Sequence, residues 1–273
     1  MNKRFLFSDN GILKDWTSEI SDFKKHSKSI PFVATEDALF IGSKLPFNGF
    51  YTKLATKLAQ TSSMKIEYWS KTSWAEVVEV RDDTGAFSES GQVIFTPNKN
   101  KKWSLQDESN EIPELSTTTI YNYYWLKVTF SSDLEVSTEL EWIGDIFSSD
   151  DDLSAEYPDL VKSSVLSAYQ TGKVNWLEQH AKAAEIIEHD LVNRGIIDGN
   201  ENILERGWYK NASVQKAAEI IFGAFGDDYV DQRTRAREEY SLRLVSRLAG
   251  IDKNNNAIED VYERKIVTGF LSR

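Results

Sequence analysis

Two kinds of hydrophobic spacing divide the chain. Between residues 38 and 147, apolar side chains come in short runs rich in Val, Thr, Tyr, Phe and Trp, each bounded by Gly, Pro, Asn, Asp or Ser. That is the pattern of strands. It predicts strands over 38–41, 49–56, 64–69, 76–81, 92–95, 102–105, 121–130 and 135–146. Alternation is clearest from Tyr124 to Phe130. Tyr124, Leu126, Val128 and Phe130 share one face there, and Trp125, Lys127 and Thr129 share the other. Many short strands without helical crossovers imply an antiparallel β-sandwich, jelly-roll-like in type. Ahead of them, Ile12, Leu13, Trp16, Ile20 and Phe23 fall near helical spacing, so 1–37 reads as an N-terminal arm or short helix.

From 158 to 250 the spacing turns helical, with Ala, Glu, Leu, Arg and Ile predominating. Helices are predicted over 159–169, 173–194, 213–225 and 229–249. Gly172, Gly195, Gly226 and Gly250 act as stop signals. Trp176, Leu177, Ala181, Ala184, Ile187 and Leu191 form the apolar stripe of the second helix. The fourth should turn Tyr240, Leu242, Leu244, Val245 and Leu248 inward, while 231–239 has almost no apolar face. The acidic stretch 148–157 reads as a linker between the halves. Residues 251–273 are set apart as a partly extended C-terminal docking segment. The expected fold class is α+β in two domains, a β-sandwich followed by an α-helical bundle.

Composition narrows the chemistry. The 273 residues include no Cys, which removes disulfides, thiol nucleophiles and Cys-ligated metals. Net charge is −11, shared almost evenly: −5 over residues 1–149 and −6 over the rest. An acidic chain is a poor match for nucleic acid or an anionic membrane. The apolar start at Phe5-Leu6-Phe7 is broken at once by Ser8-Asp9-Asn10, so no export signal is expected. No run of about 18 apolar residues exists to span a membrane. Six of the eight Trp precede residue 150, so the aromatic excess belongs to the β-half.

Candidate sites are few. His180 and His189 lie nine apart on one predicted helix and cannot jointly chelate an ion. With His26 they read as ordinary surface or core histidines. No nucleophile elbow, phosphate loop or His-Glu-x-x-His run occurs. The carboxylate pairs Asp82-Asp83, Asp107-Glu108 and Asp227-Asp228 are what 43 acids give by chance. The expectation is therefore no enzyme and no cofactor. Asp252, Asn254, Asn256 and Glu263 match positions 1, 3, 5 and 12 of a calcium loop, but Ala257 stands where Gly is wanted. An Asn-rich turn is the preferred reading there. The aromatic β-half has two readings. Exposed rings could stack on sugars with help from Lys71, Asp82 and Asn122, making a carbohydrate-binding protein of a tail or baseplate. Packing in the core and at subunit contacts is preferred. A glycan-degrading enzyme is a third, weaker reading.

Several strings resemble a β-sandwich module of tailed-phage structural proteins. They are Tyr68-Trp69-Ser70-Lys71-Thr72-Ser73-Trp74, Val80-x-Asp82-x-Thr84, Phe87-x-x-Ser90-Gly91-x-Val93-x-Phe95-x-Pro97, Trp103 and Tyr124-Trp125-Leu126-Lys127-Val128. The helical half is similar in element order to the head–tail connector, or adaptor, proteins of tailed phages. It has a Trp-bearing helix from Trp176 to Gly195, an Ala-rich helix around Lys216–Ile221, a long charged helix and a tail. That resemblance implies a structural virion protein, made in the host cytoplasm, that forms a ring, commonly of twelve copies. The ring would sit below the portal protein, bind the next neck or tail protein, and let DNA pass. A large N-terminal β-domain departs from the minimal adaptor.

Physical reasoning adds three expectations. An acidic channel wall lets DNA slide without holding it. The charges Arg233, Arg235, Arg237, Glu238 and Glu239 suit inter-subunit pairs. The apolar residues Tyr262, Ile266, Val267, Phe270 and Leu271 are too many for a free tail, and are expected to be the portal contact.

Overall fold

The structure is a computed structural model and describes residues 3–23, 27–59, 61–245 and 251–258. It is α+β, with antiparallel sheets in the N-terminal part and helices in the C-terminal part. Met1–Gly144 with Asn254–Ile258 forms one compact unit, and Asp145–Lys253 makes up most of a second.

The first unit contains, in chain order, β1 (Arg4–Asp9), β2 (Ile12–Asp15), the one-turn helix α1 (Thr17–Ile20), β3 (Lys28–Ser29), β4 (Ala38–Ser43), β5 (Gly49–Leu54), β6 (Met64–Trp69), β7 (Trp74–Glu76), β8 (Glu79–Asp82), β9 (Gly91–Thr96), β10 (Leu105–Gln106), β11 (Tyr123–Phe130) and β12 (Glu139–Gly144). One sheet runs β2-β1-β4-β11-β6-β7, with β10 also on β11; the other runs β3-β12-β5-β9-β8. Phe5, Phe7, Ile41, Leu126 and Val128 from the first sheet share one buried cluster with Phe50, Val93, Phe95, Leu140 and Ile143 from the second. Each such side chain contributes about 1.5–3 kcal/mol by leaving water. On β11, Leu126, Val128 and Phe130 point into this cluster as the alternation predicts. Trp125, on the opposite face, is equally buried under Ile112 and Leu115, so both faces of this sheet are covered.

Residues 3–37 are not an arm. β1 lies between β2 and β4, with Phe5 and Phe7 in the main core and Leu6 in the opposite cluster. Ile12 and Leu13, expected on a helix, belong to β2. The turn chemistry explains this. Asn10 (φ 47°) and Gly11 (φ 80°) form the two-residue loop, with both φ positive, that matches strand twist in a hairpin. Helix appears only at α1, beside Trp16, which stacks on Phe7 at 4.3 Å. The strand predicted over 76–81 is two strands, β7 and β8, in different sheets.

The loop from Asp82 to Gly91 shows why its residues are needed. Gly85, Ala86 and Phe87 all have positive φ, costly for the two that carry a Cβ. Asp82 accepts from the backbone N–H of Thr84 (2.8 Å) and Ala86 (2.7 Å). The Thr84 hydroxyl accepts from Phe87 N–H at 3.0 Å, and Phe87 is buried in the core. A Cβ at Gly91 would stand 2.4 Å from the Asp83 carbonyl oxygen, which excludes any other residue without a shift.

The second unit contains α2 (Asp150–Glu156), α3 (Ser163–Tyr169), α4 (Leu177–Asn193), α5 (Lys210–Ala224) and α6 (Val230–Val245). The acidic stretch expected to be a linker is instead mostly helix α2. Ser149 and Asp152 cap it reciprocally, three Asp occupy its first turn, and Leu153 is buried. The cap satisfies orphan N–H groups, and the acids suit the positive end of the helix dipole. The first predicted helix starts four residues late, at Ser163, after a turn. Gly195 (φ 66°) and Gly226 (φ 82°) do follow α4 and α5. On α6 the buried row is Ala236, Tyr240 and Leu244, four residues apart, and Leu242 is exposed instead of inward. Positions two apart on a helix do not share a face. Leu248 and the predicted helix end lie outside the described residues.

Candidate functional site

The five charges singled out on α6 are not equivalent. Arg237 donates from Nε to Glu219 Oε1 of α5 at 2.8 Å, and Lys216 also binds Glu219. Burial would raise the Glu219 carboxyl, but Lys216 and Arg237 outweigh it and hold the group below its ordinary value. Glu239 accepts from Arg243 Nε at 3.3 Å, and Arg243 also bridges to Glu156. Arg237 and Glu239 thus spend their charge within the chain. Arg233, Arg235 and Glu238 are exposed and make no ion pair among the described residues.

Arg235 stands on the rim of a groove of about 480 Å3, within the ~300–1,000 Å3 span of ligand pockets. Leu160, Val165, Phe222 and Phe225 supply its apolar lining, with Tyr157 and Tyr229 beside them. Gly226 ends α5 and starts a 3-10 turn, Gly226–Tyr229, into α6. That turn sets the Tyr229 ring 5.8 Å from Phe222, stacked, and 5.5 Å from Phe225. Tyr157 meets Phe222 edge-on at 5.7 Å. Its hydroxyl donates to Gln215 Oε1 at 2.6 Å, and Gln215 in turn donates to Glu156. Burial, then the Glu156 charge, pushes the Tyr157 phenol up, so it stays a neutral donor. The site offers aromatic surface, one wall of satisfied polar groups, and in Arg235 a guanidinium without an ion pair among the described residues.

A second constellation superficially resembles a hydrolase triad. Ser148 Oγ lies 2.7 Å from His180 Nδ1, and His180 Nε2 lies 3.2 Å from Asp150 Oδ1. Its environment is structural. Ser148 is 4% exposed and its hydroxyl also bonds Ser213 Oγ at 2.7 Å. Asp150 accepts from the Trp176 backbone N–H at 3.1 Å. The chain therefore joins the start of α2 to α4 and α5, with no open side at the serine. Nothing in the sequence spacing placed Ser148 and Asp150 against His180. His189 is exposed and lies beside Asn193, and His26 lies outside the described residues.

The sheet unit offers less. Six of the eight Trp are buried and Trp74 and Trp208 are half-buried, so the indoles serve packing. Lys71 and Asn122 border strands of the first sheet, whereas Asp82 holds its own loop in the second. A hollow of about 370 Å3 includes Asp37, Glu114 and Lys127. Asp37 there accepts from the N–H groups of Asn10 and Val33, and Glu114 from Trp74 and Lys127. Those three charged groups are thus engaged within the chain.

Of the calcium-loop residues, Asp252 is buried, and Asn256 Oδ1 accepts from Ile258 N–H at 2.7 Å in a turn with positive φ at Asn255 and Ala257. Glu263 lies outside the described residues. Among the described residues no cluster of three or more His, Cys, Asp or Glu could hold a metal, and no helix is long and apolar enough to cross a membrane. Tyr262, Ile266, Val267, Phe270 and Leu271 also lie outside the described residues. No known family model matches the chain, and no curated protein matches it.

Proposed function

We propose that the chain is a non-enzymatic structural subunit of a tailed-phage virion, a head–tail connector of adaptor type. In this reading it forms a ring below the portal protein, joins capsid to tail, and lets DNA pass along an acidic lumen. The N-terminal unit serves as a jelly-roll-like virion module, and the helical unit as the adaptor bundle. The observation that carries the reading is α6. Only Ala236, Tyr240 and Leu244 are buried on its described side chains, while Arg233, Arg235 and Glu238 face solvent and Arg235 also borders an aromatic groove. A helix so polar on its outer faces suits repeated charged contact with a neighbour. The burial of the indoles favours this over glycan stacking.

The test is association. Full-length protein, alone and mixed with purified portal protein, is examined by light scattering. A closed multimer, or a defined complex with portal, supports the connector reading. A monomer that ignores portal and binds glycans on an array supports the carbohydrate-binding alternative.

A further inference from the structure

Among the described residues nothing fills the groove, and the chain carries a segment with matching chemistry. We propose that the groove of one copy receives the C-terminal segment, residues 259–273, of a neighbouring copy. This rests on the reading of the chain as a self-assembling subunit, and it gives that segment a receptor on the protein itself in place of the portal.

Three observations support the pairing. The groove exposes parts of Tyr157, Phe225 and Tyr229 around a floor of Leu160 and Phe222. The fifteen residues 259–273 include Tyr262, Ile266, Val267, Phe270 and Leu271. Tyr262, Ile266 and Phe270 recur every fourth residue, a spacing that lets one apolar row enter one groove. Aromatic anchors sunk in a desolvated pocket dominate contacts of this kind. The third observation is charge. Arg235 is exposed on the rim and makes no ion pair among the described residues, and the segment, whose charges balance overall, opens on the acids Glu259 and Asp260 and carries its bases, Arg264, Lys265 and Arg273, further along. Charge matching at a rim sets register and encounter rate more than affinity.

The experiment uses the full chain with Phe270 replaced by a photoreactive benzoyl-phenylalanine. Protein carrying the probe is mixed with 15N-labelled protein, irradiated, and mapped by mass spectrometry. The expected links join Phe270 of one chain to Tyr157, Phe225 or Tyr229 of a chain with the other isotope. Arg235→Glu should lower that yield several-fold, and the added changes Glu259→Lys and Asp260→Lys should restore it. Links only within one chain, or only outside the groove, would overturn the proposal. Its failure is separable from failure of the connector reading. Multimers without groove links sink only the tail-exchange idea, whereas a monomer that ignores portal sinks both.

Discussion

The two units handle buried polarity differently. The sheet unit fills its interior mainly with rings, as in the contacts among Phe47, Phe95, Tyr68 and Trp103, and the charges it buries, Lys3 and Asp37, meet a ring face and backbone N–H groups. The helical unit puts charge inside. Asp145 and Arg206 pair at 2.8 Å with both side chains under a tenth exposed. Burial, with the Glu201 and Asp145 charges, pushes the Glu188 carboxyl above its ordinary value. The Ser148–His180–Asp150 chain crosses the same unit. Ring packing is tolerant and closes a surface, whereas buried polar chains demand particular partners. The aromatic half therefore draws attention in the sequence, but the helical half holds the open groove.

Two fully buried tryptophans sharpen this contrast. Trp125→Ala in the sheets and Trp176→Ala in the helices should each cost about 3–5 kcal/mol, read as lost hydrogen-exchange protection in the corresponding unit. Next in size is His180→Ala, which leaves Ser148 and Asp150 short of a buried partner. It should cost about 1–3 kcal/mol and lower protection of α2, α4 and α5. A comparable effect separates Trp176→Phe from Trp125→Phe. The Trp176 indole donates to the Leu160 carbonyl at 2.9 Å, while the Trp125 indole N–H has no acceptor among the described residues. Denaturant titration should show Trp176→Phe as the costlier change by about 1–3 kcal/mol. Equal costs would erase the proposed difference between the interiors.

Charge gives smaller and pH-dependent effects. Glu188 has a raised native pKa, so its ionisation favours the unfolded chain, and stability falls as pH rises from the ordinary carboxyl value of 4.5 through the native one. Glu188→Gln should raise the melting temperature at pH 7 and give no gain below about pH 4. Glu219 behaves oppositely. Its lowered pKa contributes stability that is present above 4.5 and lost as pH falls through the native value. Glu219→Gln should therefore lower the melting temperature at pH 7 and have less effect in acid. Smallest is Arg235→Glu, a solvent-facing change expected to alter folding stability by no more than about 0.5 kcal/mol. An effect confined to association would mark it as a contact residue.

Much of the architecture was legible where burial is one-sided. Strand β6 was delimited from sequence at both ends, and the inward face of β11 followed from alternation. What escaped had identifiable causes. β1 is buried on both faces, so it shows no alternation, and its short run Phe5-Leu6-Phe7 resembled a leader. The Asn10-Gly11 pair carries a hairpin signal that outweighs the near-helical spacing of Ile12 and Leu13. Ser149-x-x-Asp152 was likewise a helix start hidden among acids that looked like a linker. The groove was less accessible. Arg235 and Glu239 stood out as charges without an apolar face, but their union with Tyr157, Leu160 and Phe222 depends on how α2, α5 and α6 pack, which no local pattern records. The same holds for His180, whose partners lie 30 and 32 residues away.

Molar mass tests the connector reading most directly. The single chain weighs 31.2 kDa. Light scattering of the full-length protein, over a wide concentration range and with portal protein present, should give one closed multiple of that mass, alone or bound to portal. A mass of one chain under every condition, with no complex formed, contradicts it.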